Sequence, residues 1–287
     1  QDFTYELDAG QYDVTENPIP AGWTLTDVGC VEDGDQDSST ANPTATLDVE
    51  LAETVTCTFT NTADGTLIIR KETIPDASLQ AFTFTGDAAG DLHDYSDTAE
   101  ELSVSGAPGI YSSAETIPAG WALTDISCTG QSASTVSFGP VGTDAFEDGD
   151  MNVQVDLAAG ETVICTFENT AQGGITIAKL TQGGEGSFTF NSAELGSFPI
   201  DTTGNNPNSE AFTNLLPGSY MVSEVVPSSW TLSDITCSGE TNSTITIGGD
   251  GGFDPGDVSV TIDLVDGESI LCSFVNAADG NIIVEKQ

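Results

Sequence analysis

Lysine occupies three positions in 287 residues, Lys71, Lys179 and Lys286, and each closes a short alternating apolar stretch: "TLIIRKE", "GITIAKL" and "NIIVEKQ". Side chains alternate faces along a strand, so residues of equal parity share a face. Lys71 therefore falls with Leu67 and Ile69, Lys179 with Ile175 and Ile177, and Lys286 with Ile282 and Val284, on the side expected to meet a core. The same count groups Asn61 with Val55, Cys57 and Phe59, Asn169 with Val163, Cys165 and Phe167, and Asn276 with Ile270, Cys272 and Phe274. A third stretch puts Glu16 with Tyr12 and Val14, Glu115 with Tyr111 and Ser113, and Glu224 with Tyr220 and Val222. Burying an amine, an acid and a carboxamide is costly unless the charges are neutralised or consumed. One reaction does both. A desolvated lysine loses its proton and becomes a nucleophile, while a neutral buried acid polarises the asparagine carboxamide and carries protons as ammonia leaves. The product is a Lys–Asn isopeptide bond, expected for Lys71, Glu115 and Asn169, for Lys179, Glu224 and Asn276, and for Lys286 with Glu16 and Asn61. The competing use of lysine, to guard an exposed strand edge, explains neither the shared parity nor the absence of lysine everywhere else.

The elements that must hold these residues repeat three times. "GQYDVTENPIPAGWTLTDVGC" (Gly10 to Cys30), "GIYSSAETIPAGWALTDISC" (Gly109 to Cys128) and "GSYMVSEVVPSSWTLSDITC" (Gly218 to Cys237) align, as do "LDVELAETVTCTFTNTADG", "VQVDLAAGETVICTFENTAQG" and "VTIDLVDGESILCSFVNAADG". Trp23, Trp121 and Trp230 share one position, and the six cysteines share two. A unit of about a hundred residues, built of short strands between Gly, Pro, Asn and Asp turns, has the size of one β-sandwich. The predicted fold is all-β: an incomplete sandwich at 1–62, complete ones at 63–170 and 171–277, and a lone strand at 278–287.

These motifs resemble the CnaB-type (Cna protein B-repeat, prealbumin-like) domains of bacterial surface adhesins and pilins. The resemblance rests on the opening strand ending in lysine, on a middle motif seen as "PGSYMVSEVVPSSW" and "AGQYDVTENPIPAGW", and on the closing strand "TCTFTNT". It implies an Ig-like sandwich in which the Lys, Glu and Asn at the positions named above form the isopeptide bond. The two cysteines per unit depart from the usual pattern of that family.

The first unit has Glu16 and Asn61 but no lysine strand before them, and Lys286 ends a strand with no unit after it. The simplest reconciliation is a tail that completes the first unit of the next molecule, in a head-to-tail homopolymer. The alternative is a segment of a longer surface adhesin, a stalk or ligand-binding array in which the tail opens a further domain. "DFTY" (Asp2 to Tyr5) reads as a shortened second strand or as the next one along.

Composition narrows the function classes. With 46 Asp+Glu against 4 Lys+Arg, a net charge of -42 opposes nucleic acid and anionic membrane as partners. No apolar run reaches the length of a membrane helix, and the stretch opening at Gln1 carries no leader pattern, as in a secreted chain whose signal has been removed. Cysteines without CxxC or Cys/His spacing point to disulfides. Three-fold repetition pairs Cys30 with Cys57, Cys128 with Cys165 and Cys237 with Cys272. No cofactor is required by this chemistry; the acidic loops offer Asp33, Asp35, Asp37, Asp148, Asp150, Asp254 and Asp257 as calcium ligands, with a plain solvated loop as the equal alternative, and none follows EF-hand spacing. A catalytic hydrolase would need a nucleophile or histidine constellation that the motifs lack. The expectation is a secreted structural subunit of an extracellular filament or pilus, partnered by itself, with any host or surface ligand unassigned.

Overall fold

The computed structural model describes residues 2–140, 142–280 and 284–285. The chain divides into two compact units, one formed by Gln1–Glu72, Leu79–Thr116 and Asp125–Phe167, the other by Thr73–Ser78, Ile117–Thr124 and Glu168–Gln287. Its strands fall into three successive β-sandwich domains.

The first domain contains β1 (Gly10–Thr15), β2 (Trp23–Glu32), β3 (Ser39–Ala41), β4 (Thr44–Val49) and β5 (Val55–Ala63). They form a three-stranded sheet, β1-β4-β3, and a two-stranded sheet, β2-β5. Its buried core is small, Leu25, Val28, Ala45 and Leu47, with Tyr12, Val55, Cys57 and Phe59 only partly covered. Residues 2–8 are exposed and belong to no strand, so the strand expected at "DFTY" is not formed here.

The second domain contains β6 (Gly65–Ile74), β7 (Phe82–Gly86), β8 (Gly90–Leu92), the single-turn α1 (Tyr95–Thr98), β9 (Leu102–Gly106), β10 (Gly109–Thr116), β11 (Trp121–Thr129), β12 (Thr135–Phe138), β13 (Asn152–Leu157) and β14 (Thr162–Ala171). Its sheets are ordered β12-β13-β10-β7-β8 and β11-β14-β6-β9. The third domain repeats the pattern with β15 (Gly173–Gln182), β16 (Ser187–Ser192), β17 (Gly196–Asp201), β18 (Asn208–Leu215), β19 (Gly218–Val225), β20 (Trp230–Ser238), β21 (Thr244–Ile247), β22 (Ser259–Leu264) and β23 (Ser269–Ala278). Its sheets are β17-β16-β19-β22-β21 and β18-β15-β23-β20.

β6 and β15 bury every second side chain along their length, Leu67, Ile69 and Lys71 in the one and Ile175, Ile177 and Lys179 in the other, as a strand's two faces require. Each lies inside its sheet rather than at an edge, because a strand on either side pairs with it. β15 runs parallel to β23, with Ile175 opposite Ile270, Ile177 opposite Cys272 and Thr181 opposite Asn276. It runs antiparallel to β18 on its other side. Phe188, Phe190, Val222, Ile262 and Phe274 fill the space between the two sheets. Beyond Cys237 the chain must turn at Gly239, whose φ is +101° and where a Cβ would come within 2.3 Å of the Ser269 carbonyl oxygen, so no other residue fits without backbone movement.

Candidate crosslinking site

In the third domain the sequence pattern brings three polar side chains into the dry interior. Lys179 projects from β15 and Asn276 from the neighbouring β23, while Glu224 reaches across from β19 in the opposite sheet. Lys179 and Asn276 are fully buried and Glu224 is 4% exposed. Lys179 Nζ donates to Glu224 Oε2 at 2.9 Å, to the Phe274 carbonyl at 3.3 Å and, by a short bond, to Asn276 Oδ1. Asn276 Nδ2 donates to Glu224 Oε1 at 2.6 Å. One carboxyl thus spans the amine and the carboxamide. The amine also sits 4.6 Å from the centre of the Phe188 ring. Burial lowers the Lys179 pKa from 10.5 to about 8, against the opposing pull of Glu224. An amine more readily deprotonated than an ordinary lysine, held against a carboxamide and a carboxyl group, is the arrangement that amide exchange requires.

The second domain buries the equivalent residues, but no hydrogen bond joins Asn169 to Lys71 or Glu115 there. Lys71 is fully buried on β6, and its Nζ donates to the Phe167 carbonyl at 2.9 Å. It lies 3.9 Å from Glu115 Oε1 and 4.4 Å from the Phe82 ring centre. Asn169 on β14 is fully buried. Neither lysine guards an edge.

The first domain has two members of the set. Glu16 and Asn61 are half-buried, and Asn61 Nδ2 donates to Glu16 Oε1 at 2.7 Å, the same bond that joins Asn276 to Glu224. The two atoms left over, Glu16 Oε2 and Asn61 Oδ1, are buried and have no hydrogen-bond partner among the described residues. Their counterparts in the third domain, Glu224 Oε2 and Asn276 Oδ1, are the atoms that receive the Lys179 protons. Among the described residues β5 is paired with β2 alone, whereas β23 is paired on both sides. Val14 is 42% exposed where the equivalent Val222 is fully buried. The lysine expected to fill this place, Lys286, lies outside the described residues, as does Ile282; Val284 is exposed and in no strand.

All three expected disulfides are present: Cys30–Cys57, Cys128–Cys165 and Cys237–Cys272. Cys30 faces Cys57 across β2 and β5, and Cys237 faces Cys272 across β20 and β23. Each bridge therefore ties a closing strand to a neighbour within one sheet.

The aspartates singled out as calcium ligands do not gather: among the described residues no group of three or more Asp, Glu, His or Cys side chains surrounds a common point. Asp33, Asp150 and Asp257 accept backbone N–H bonds from Thr54, Glu147 and Asp254 at 2.7, 2.8 and 2.7 Å. The amide of Asp37 donates to Glu32 at 2.9 Å. Asp35, Asp148 and Asp254 lie on exposed loops.

Sequence reasoning missed a pair of carboxylates. Glu161 accepts from the amides of Ala133 and Ser134 at 2.7 and 2.8 Å and from the Ser132 hydroxyl. Glu268 accepts from Thr241, Asn242 and Ser243 amides at 3.2, 2.7 and 3.0 Å. These bonds pull both carboxyls below the usual range, Glu268 to about 2, with Ser243 the largest contributor. The available signal was position: each glutamate precedes its closing strand at the same place in the repeat.

A family model described as "Prealbumin-like fold domain" matches residues 1–63, 67–171 and 175–278. Among solved structures, the C-terminal fragment of the pilus adhesin SpaC from Lactobacillus rhamnosus GG is 14% identical, with 76% of this chain and 99% of that one covered and a TM-score of 0.27. The Bacillus anthracis TIE protein is 13% identical over 93% of this chain and 51% of its own, with a TM-score of 0.27. BcpA, the major pilin subunit of Bacillus cereus, is 9% identical over 75% and 100%, with a TM-score of 0.26. Comparison with curated protein sequences found no match. Among the described residues no helix is long and apolar enough to cross a membrane.

Proposed function

The chain belongs to the prealbumin-like fold domain family, and from that premise we propose that it is a secreted structural subunit that polymerises head to tail into an extracellular filament or pilus. Its chemistry is self-crosslinking, one turnover per domain. The observation that carries this reading is the contact set of Lys179, Glu224 and Asn276, together with the same Glu–Asn pair in the first domain, beside which no amine stands among the described residues.

In the third domain the neutral Lys179 Nζ attacks Asn276 Cγ, forming the Nζ–Cγ bond. Glu224, whose Oε2 faces Nζ and whose Oε1 faces Nδ2, carries a proton from the amine nitrogen to Nδ2; the Cγ–Nδ2 bond breaks and ammonia departs. Lys71, Glu115 and Asn169 take the same roles in the second domain. No cofactor enters, because the chain supplies nucleophile, proton carrier and electrophile.

The first domain receives residues 280–287 of a second copy beside β5. In the register of β15 on β23, Ile282 meets Val55, Val284 meets Cys57 and Lys286 meets Phe59, which points the amine at Glu16 and Asn61. Burying Ile282 and Val284 contributes about 2 kcal/mol each, and the Lys286–Asn61 amide then makes the joint covalent. Three disulfides fit an oxidising, extracellular setting.

Intact mass after boiling in denaturant and reductant tests this. Loss of two ammonias per monomer, with a ladder of covalent multimers losing one more per joint, is the expected result. A chain that retains every ammonia defeats the crosslink.

A further inference from the structure

We propose that residues 2–8 form the outer wall of the acceptor groove, so that the donated strand is inserted between β5 and this segment instead of being added to an open edge. The inference rests on the head-to-tail reading above, and the occupant is residues 280–287 of a second copy.

The repeat fixes what the segment is. Counting back from the shared glycine that opens the Tyr-containing strand, Gly10, Gly109 or Gly218, residues 3, 5 and 7 align with Leu102, Val104 and Gly106 of β9. β9 is the strand that pairs with the far side of the lysine strand β6, with Gly65 opposite Gly106, Leu67 opposite Val104 and Ile69 opposite Leu102. In the third domain β18 does the same for β15. The lysine strand is thus a central strand in both complete domains, and the first domain holds the sequence for both neighbours.

Three observations single out the segment as a wall awaiting its strand. Phe3, Tyr5 and Leu7 share one face by parity, yet they are 70%, 76% and 51% exposed. Their counterparts Leu102 and Val104 are half-buried against the lysine strand. The connection into β1 already has its final form: Tyr12 Oη donates to the Asp8 carbonyl at 2.8 Å, as Tyr111 does to Ala107 at 2.8 Å and Tyr220 to Leu216 at 2.7 Å. The exit direction of the segment is therefore set before a strand arrives, and the missing partner is the one that would carry the amine. Transferred from β6 on β9, the register places Gly280 opposite Leu7, Ile282 opposite Tyr5 and Val284 opposite Phe3.

The test uses the full chain and a synthetic peptide of the tail sequence, "GNIIVEKQ", with its lysine replaced by arginine so that docking stays reversible. Hydrogen exchange and peptide release are compared with those of a Phe3→Asp, Tyr5→Asp, Leu7→Asp variant, whose changes fall on exposed side chains. The expected result is slowed exchange at the amides of residues 3–7 as well as along β5, and peptide release at least about tenfold faster from the variant, the usual kinetic signature of lost interface contacts. Protection along β5 alone, with unchanged release, overturns the two-walled slot and leaves the head-to-tail reading standing. No peptide binding to either protein overturns both.

Discussion

The amine of Lys179 is held at about pKa 8 because water is excluded from it, and its chemistry should follow that value. Bond formation on refolding is expected to speed up as pH approaches about 8 and to level off above it, read as ammonia loss by mass against time. The same shift has a thermodynamic consequence in a domain that cannot crosslink. The folded pKa is depressed from 10.5, so between about 8 and 10.5 the unfolded chain binds the extra proton and stability rises with pH across that window. An Asn276→Ala chain should show that slope in its Tm, whereas the amide-linked domain should not, because an amide does not titrate there. Glu224→Gln leaves the cavity filled and removes the proton carrier; the third domain should keep its ammonia and melt at lower temperature. A Glu224→Gln protein that still loses the full complement of ammonia would remove Glu224 from the reaction.

The loops between strands answer to pH differently. Glu268 holds the turn after β20 through three backbone amides, and its folded pKa of about 2 lies below the ordinary 4.5. Its contribution is fully present above about 4.5 and is lost as pH falls toward 2. Glu268→Gln should therefore flatten the acid limb of unfolding and speed exchange at residues 241–243 at neutral pH; an unchanged acid limb would assign the loop's order to something else. Much of this architecture was legible in the residues. Parity placed Lys71, Lys179, Asn169 and Asn276 on the core side, and the structure buries all four. Repetition alone paired the cysteines. The glutamate clamps were hidden because 46 acids make any one of them unremarked, and Asp150 and Asp257, read equally as metal ligands or as plain loop residues, each accept a backbone amide of their own turn. "DFTY" reads as a strand by its place in the repeat, but a strand needs a neighbour, and pairing is information that a repeat alone does not carry.

For the molecule as a whole, 46 acids against 4 bases mean that two copies repel as they approach. Salt shortens the reach of that repulsion to about 8 Å near physiological ionic strength. Assembly should therefore accelerate with added sodium chloride, followed by light scattering; slower assembly at higher salt would argue against an apolar, strand-inserting joint. A Lys286→Arg chain should still assemble but yield polymer that heat and reductant dissolve, and a surviving covalent ladder would exclude Lys286 from the joint.

The parallel pairing of β15 and β23 also decides how the third domain bears tension. The chain enters at the start of one strand and leaves from the end of its parallel neighbour, so a pull on the two ends slides the strands past each other. Every rung of that ladder is then loaded together in shear, with none peeled away first. An amide between Lys179 and Asn276 would carry the pull straight from entry strand to exit strand and leave the remaining sheets slack.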